Sequence, residues 1–162
     1  MAKRKGKSLF SLSTLLASFF GAAMIAVSFA YFNYKFSEYK FIDFKKWVFY
    51  EKKDIFQPKE QKYIVVFYSS REKGTMEQLA KVDLHTPILA IDYYNRVRDN
   101  TPTTTFLRSG TKNSLAFIQR FNIYESPSIF FIKRTKDSLY KQDSMIHKLD
   151  NLNELSKRIK EL

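Results

Sequence analysis

The chain has 162 residues and a net charge of +12, so it is long enough for one domain with an appended segment. It has no cysteine, which excludes disulfides, thiolate metal sites and thiol redox chemistry. A basic surface suits an acidic protein, anionic lipid or nucleic acid, but it is also the ordinary surface of many soluble proteins.

A basic tail, residues 1–8, precedes an uncharged apolar stretch from Leu9 to Phe32. At ~1.5 Å per residue, a helix of this length crosses the ~30 Å hydrocarbon core of a bilayer. Aromatic residues and then Lys35 follow, as is typical of a membrane interface. The sequence predicts a signal anchor over 9–32 in the inner membrane, with the tail in the cytoplasm and the remaining chain in the periplasm.

A cleaved signal peptide is the competing interpretation of this stretch. Small residues at Ser28 and Ala30 would suit a cleavage site after Ala30. The apolar run is long for a signal peptide, which favours the anchor. Lysines flank both ends of the run, so the count of basic residues alone does not decide the orientation.

Residues 33–60 mix charges with apolar and aromatic residues, which in the first part recur every three or four positions. This spacing favours a helix that continues from the membrane, or a helical linker. A short strand around Trp47–Tyr50 is the alternative, and Pro58 is expected to end the segment. The sequence predicts a stalk over 33–60, with its apolar side covered by the following domain or by a partner.

From residue 61 onwards, short apolar runs alternate with helical patterns. The predicted strands are Lys62–Tyr68, Ile88–Asp92, Ile129–Ile132 and Ser138–Gln142. The first predicted helix covers 75–82, with Thr75 as N-cap. The second starts at Asn113 or Ser114 and continues through 115–121, and a terminal helix is capped by Asn151. Residues 95–112 are predicted to be a long connection. The order indicates an α/β fold in which a mixed sheet carries helices on both faces.

Four stretches of residues 61–162 resemble the thioredoxin-like family. "YIVVFYSS" resembles the strand that leads into the family's active loop, and "ILAIDYYN" is similar to its second parallel strand. "FIQRFNIYESPSIFFIKR" is the most specific match, and "NLNELSKRIKEL" is similar to the closing helix. The resemblance implies a thioredoxin-like domain, with a cis peptide bond before Pro127 that faces the active loop.

The family's paired cysteines would fall within Ser70–Thr75, where this chain has none. Thiol–disulfide exchange requires a thiolate, so oxidoreductase activity of this kind is excluded. The surface around the loop and the proline remains a candidate for partner binding. The candidate contacts are Tyr68, Arg71, Glu72, Ser126, Pro127 and, in the stalk, Trp47. The alternatives are a solvated turn at 71–73 and a trans proline that simply begins a strand.

No catalytic, metal-binding or cofactor-binding residue is predicted. Glu72 and Asp92 have no accompanying nucleophile or metal to serve as an acid–base pair, and His85 and His147 lack ligand spacing. The glycines are isolated and form no phosphate loop, and the aromatics match no nucleic-acid-binding module. No small-molecule substrate is evident.

The predicted function is therefore that of a non-catalytic, membrane-anchored subunit that binds other envelope proteins. A flagellar motor scaffold and a secretion apparatus both fit this description. The alternatives are a redox-inactive protein that holds clients during envelope biogenesis, and an enzyme with unfamiliar chemistry.

Overall fold

The computed structural model describes residues 11–38, 40–96, 98–150 and 154–161. The chain divides into two compact units, Met1–Glu38 and Tyr39–Leu162. The first contains helix α1, Leu12–Glu38, whose stretch Leu12–Lys35 is apolar and long enough to cross a membrane. The helix continues past the predicted end at Phe32, and the predicted start at Leu9 lies outside the described residues. An N-terminal signal sequence also meets this criterion of length and composition, so the criterion does not separate the two interpretations of the segment.

The second unit is built around one mixed sheet, and in the described residues it has nine strands. The strands are β1 Phe41–Asp43, β2 Tyr50–Glu51, β3 Asp54–Ile55, β4 Lys62–Tyr68, β5 Ile88–Asp92, β6 Thr104–Arg108, β7 Ser128–Lys136, β8 Leu139–Gln142 and β9 His147–Lys148. The helices are α2 Thr75–Lys81, α3 Thr111–Phe121 and α4 Leu155–Glu161. The strand order is β1-β8-β7-β4-β5-β6-β2-β3, and β9 pairs with the beginning of β7.

The central strands are the apolar runs that the sequence predicts. Strand β4 pairs in parallel with β5 and antiparallel with β7, and β8 continues antiparallel beyond β7. Alternate residues of β4 point to opposite faces, so both faces are buried in separate apolar clusters. One cluster joins Phe67 of β4 to Phe117 of α3, and the other joins Tyr68 of β4 to Leu79 of α2 and Leu155 of α4.

Residues 33–60 do not form a separate stalk. Residues 33–38 complete α1, while residues 40–60, here called the edge segment, supply β1, β2 and β3 to the sheet. The reason is burial: the segment's aromatic and aliphatic residues lie in the core, namely Ile42, Phe44, Phe49 and Phe56. The spacing that suggested an amphipathic helix instead places these side chains in a cluster with the neighbouring Tyr63, Phe117 and Tyr140.

The edge segment reaches both edges of the sheet, because β1 is the first strand in the order and β2–β3 are the last. A flat sheet would separate β1 from β2 by six strand spacings, about 29 Å at ~4.8 Å each. The seven steps from Asp43 to Tyr50 cover at most about 25 Å fully extended, and residues 44–47 form turns and a bend instead. The sheet is therefore curled, which brings its two edges towards each other.

Three other predictions differ from the structure. The predicted connection 95–112 contains the buried parallel strand β6 and the start of α3 at Thr111. Thr75 is the buried first residue of α2, and the N-cap position belongs to Gly74, whose φ of 82° suits glycine. Strand β7 extends beyond Ile132 to Lys136. The predicted cap Asn151 lies outside the described residues.

The carboxylate of Asp43 fastens β1 to the β7–β8 turn. The Ser138 hydroxyl donates to its Oδ1 over 2.7 Å, and the Lys45 amide donates over 3.0 Å. The Ser138 hydrogen bond, followed by that amide and the Lys46 and Lys45 charges, holds the pKa of Asp43 below its ordinary 3.8, although burial opposes the shift. This carboxylate therefore stabilises the fold as long as it stays ionised.

Because the folded-state pKa is depressed, the stabilisation by Asp43 is complete above the unfolded value near 3.8 and is lost as the pH falls through the folded value. We expect the wild-type chain to exceed Asp43→Asn in unfolding free energy above about pH 4. The difference should shrink below that pH. Urea titrations from neutral to acidic pH measure it, with the exposed Asp54→Asn as control. A constant difference across the range would show that ionisation of Asp43 contributes nothing.

Candidate functional site

A groove of about 420 Å³ opens beyond the carboxyl ends of β4 and β5. These parallel strands end side by side, with Tyr68 opposite Asp92, and the antiparallel β7 begins at the same end of the sheet. Loops that follow parallel strands commonly form binding sites at this edge. The groove, here called the aromatic groove, is lined by Phe67, Ser69, Tyr93, Tyr94, Leu115, Ile118, Ile123, Tyr124, Glu125 and Ser126.

Three exposed tyrosines, Tyr93, Tyr94 and Tyr124, line this groove. Tyr93 meets Phe67 edge-on at 6.3 Å between ring centroids and meets Tyr94 at 5.0 Å with an interplanar angle of 89°. Tyr124 is 87% exposed, and Leu115 of α3 is 48% exposed. Exposed apolar side chains that share one concave surface are characteristic of interaction sites.

Asp92 holds together the two loops that surround the groove. Its side chain is buried at the end of β5, and its Oδ1 accepts hydrogen bonds from the Ser70 amide at 2.9 Å and the Tyr94 amide at 3.1 Å. Its Oδ2 accepts from the Arg96 amide at 2.8 Å. Both carboxylate oxygens thus accept from backbone amides, so Asp92 connects loop 69–74 to turn 93–96 through hydrogen bonds.

Arg71 belongs to the polar loop after β4, and its guanidinium lies 3.9 Å from the centroid of the Tyr94 ring. This cation–π contact holds Arg71 beside the groove. Glu72 is exposed and lines a separate polar depression together with Lys73 and Met76. Arg71 lines this depression as well, and of the two predicted loop contacts it is the one that also meets a ring of the aromatic groove, that of Tyr94.

The loop between α3 and β7 forms another wall of the groove. The Ser126–Pro127 peptide bond is cis, the form that the resemblance implies. The Pro127 ring is buried, and its carbonyl accepts the Leu149 amide at 2.9 Å, so Pro127 shapes the wall without presenting its own side chain. Ser126 lines the groove, and its buried hydroxyl oxygen has no hydrogen-bond partner.

Tyr68 and Trp47 are not part of this site. Tyr68 is 1% exposed and points to the opposite face of the sheet, where its ring meets Phe106. Burial, and then the Asp92 carboxylate, raise the pKa of Tyr68. Trp47 is half-buried against the cluster that contains α3, with the Arg120 guanidinium 5.1 Å from its ring centroid. Strand alternation explains the first error, since Phe67 and not Tyr68 points towards the groove.

Sequence reasoning missed four exposed residues that line the groove: Tyr93, Tyr94, Leu115 and Tyr124. A signal was present, because two tyrosines directly follow the buried run Ile88–Asp92. Aromatic residues at the end of a buried parallel strand lie where ligand-binding loops begin.

Acidic and histidine side chains are dispersed in the described parts of the chain, where no group of three or more is placed to hold a metal ion. His85 lies in the exposed loop before β5, and His147 lies in β9. The site thus offers apolar and aromatic contacts, together with the Glu125 carboxylate, which forms an ion pair with the Lys148 ammonium. No family model matches this sequence, and a search of curated proteins finds no significant match.

Proposed function

We propose that this chain is a non-catalytic, membrane-anchored protein of the bacterial envelope whose periplasmic domain binds another envelope protein through the aromatic groove. Helix α1 supports the anchor, because it is long and apolar enough to span a bilayer. The anchor lies in the inner membrane in this proposal, with the folded domain on the periplasmic side.

The strand arrangement supports a thioredoxin-like domain. In the sheet, the order β5-β4-β7-β8 combines one parallel pair with two antiparallel pairs. Residues of α3 pack on one face of this sheet and residues of α2 and α4 on the other. The missing cysteines remove the chemistry that such a fold often carries, which leaves its binding surface as the functional element.

The exposed aromatic surface of the groove is the observation that carries this proposal. Tyr93, Tyr94 and Tyr124 stay exposed, although burying aromatic rings supplies much of the energy of protein interfaces. We infer that the occupant is an extended segment of a partner subunit that inserts apolar side chains between these rings. A flagellar motor scaffold or a secretion apparatus would provide such a partner.

The open groove also favours a second candidate function. Its exposed apolar and aromatic side chains can contact many extended peptides, without a defined sequence. This arrangement suits a redox-inactive protein that holds unfolded clients. The two functions differ in stoichiometry, since a scaffold has one defined partner and a client-holding protein has many.

The test is to extract the full chain in mild detergent and identify the proteins that copurify with it. We expect one stoichiometric partner. The double variant Tyr124→Ser with Leu115→Ser should lower the amount of this partner that copurifies at least tenfold. Both residues are exposed, so the fold should tolerate the changes. Met145→Ser is the matched control, because Met145 is 79% exposed and does not line the groove.

If the chain is isolated alone and binds many unfolded peptides, it holds clients and is not a scaffold subunit. If the groove variants keep a defined partner at full occupancy, that partner binds elsewhere. A reporter fused after Leu162 tests the orientation, because cytoplasmic reporter activity would contradict a periplasmic domain.

A further inference from the structure

A row of lysines crosses three neighbouring strands on one face of the sheet. Lys62 of β4 is directly opposite Lys133 of β7, and Lys133 is directly opposite Lys141 of β8. Phe41 of β1 continues the row, because it is opposite Lys141. Residues directly opposite in antiparallel strands have their side chains on the same face with Cβ atoms about 5 Å apart, so each lysine of the row is next to the following one.

This lysine row, Lys62, Lys133 and Lys141, is an unfavourable arrangement for the isolated domain. Like charges directly opposite in a sheet repel each other. The Asp143 carboxylate lies 3.3 Å from the Lys62 ammonium and offsets part of the repulsion, but both side chains are over 40% exposed. Lys133 and Lys141 are also exposed. An external anion would relieve the remaining repulsion.

Apolar side chains accompany the lysine row. The Lys62 ammonium lies 4.2 Å from the ring centroid of the buried Phe131, and the Lys141 ammonium lies 5.8 Å from that of the half-buried Phe41. These are cation–π contacts, and lysines beside aromatic rings are also typical of surfaces that meet a lipid interface.

The short connection between α1 and β1 indicates which anion the lysine row would meet. Only Tyr39 and Lys40 separate the end of α1 from β1, the strand that continues the lysine row. We propose that the lysine row binds the anionic phospholipid headgroups of the membrane that α1 spans. This inference rests on the membrane anchoring in the proposed function, and it adds a second membrane contact made by the folded domain.

The expected strength follows from the charge count. Each lysine close to an anionic leaflet favours association by about fivefold, so three lysines favour the lipid-bound state by about a hundredfold. The screening length is ~10 Å at about 0.1 M salt and shortens as salt is added, so high salt should abolish the preference for anionic lipid. Zwitterionic lipid should give none.

The experiment uses the full chain in nanodiscs of phosphatidylcholine, with or without an equal amount of phosphatidylglycerol. Acetylation rates of individual lysines are measured by mass spectrometry. We expect Lys62, Lys133 and Lys141 to react at least about fivefold more slowly with phosphatidylglycerol present, and high salt should remove the difference. Lys112 is the internal reference, since it follows the carboxyl end of β6 at the opposite end of the sheet.

The double variant Lys133→Gln with Lys141→Gln should restore the reactivity of Lys62 in the anionic discs. It removes like charges that face each other, so it should not destabilise the fold. The control variant, Lys73→Gln with Lys112→Gln, removes the same charge beyond the ends of β4 and β6, and it should leave the protection of Lys62 intact. Equal reactivity of the lysine row in both kinds of disc would overturn the proposal.

Two further outcomes separate this inference from its premise. If added polyglutamate protects the lysine row and phosphatidylglycerol does not, the partner is an acidic polypeptide and the lipid proposal is wrong. If alkaline carbonate releases the chain from vesicles, α1 does not anchor it. Binding by the lysine row is then measured by flotation with phosphatidylglycerol vesicles at low salt. Flotation that the lysine pair variant loses supports the row, and unchanged flotation overturns it.

Discussion

Replacing Asp92 with alanine is expected to lower the unfolding free energy by about 3 kcal/mol and to abolish partner binding at the aromatic groove. The change removes the acceptor for the amides of Ser70, Tyr94 and Arg96, and each donor left without a partner carries a desolvation cost. Loop 69–74 and turn 93–96 lose their connection, so the groove loses its shape. Urea unfolding gives the stability, and copurification gives the binding.

Asp92→Asn separates the two effects. It keeps an oxygen acceptor for the Ser70 and Tyr94 amides but places an amide donor against the Arg96 amide, so we expect a smaller loss. The control is Asp99→Ala, because the Asp99 side chain is 91% exposed and its ion pair with Lys52 is worth little. If Asp92→Ala lowers the unfolding free energy no more than Asp99→Ala does, Asp92 does not hold the two loops together.

Replacing Phe117 with alanine is expected to lower the unfolding free energy by about 4 kcal/mol, a large share of the ~5–15 kcal/mol typical of a domain. Phe117 is 1% exposed, and its ring contacts four others: Phe49, Phe67, Phe121 and Phe130. Truncation therefore leaves a cavity where α3, the edge segment and the sheet meet. The midpoint of denaturant unfolding measures the loss.

Leu115→Ala is the matched control for this change, because Leu115 lies on the same helix and is 48% exposed. It should cost well under 1 kcal/mol, since surface substitutions seldom exceed ~0.5 kcal/mol. Similar losses at the two positions would mean that the aromatic cluster does not stabilise the domain.

The central strands were predictable because burial on both faces leaves an almost continuous apolar run. Lys62–Tyr68 and Ile88–Asp92 match β4 and β5 in their bounds. Strand β6 was not predicted, because its threonines resemble a loop. The structure shows how a polar sequence enters the core: Thr104 is fully buried, and its hydroxyl donates to the Leu79 carbonyl at the end of α2.

The positions of the edge segment and the groove could not be predicted from the sequence, because both depend on contacts between residues that are far apart along the chain. Aromatic residues spaced three or four apart also fit an amphipathic helix, and only contacts with distant residues such as Phe117 and Tyr140 make Phe44 and Phe49 core residues. The groove likewise combines residues from four separate stretches of the chain. A strand pattern alone cannot tell which of Phe67 and Tyr68 faces it.

The edge segment also sets the order in which the domain can fold. The Ser138 hydroxyl that bonds to Asp43 comes 95 residues later, and the Tyr140 hydroxyl that bonds to the Glu60 carbonyl comes 80 residues later. Contacts between such distant residues form slowly, because a long loop must close before they contribute. During synthesis, the first residues of this sheet to be made therefore pair with nearly the last, and Phe44 lacks its contact with Tyr140 until β8 is complete.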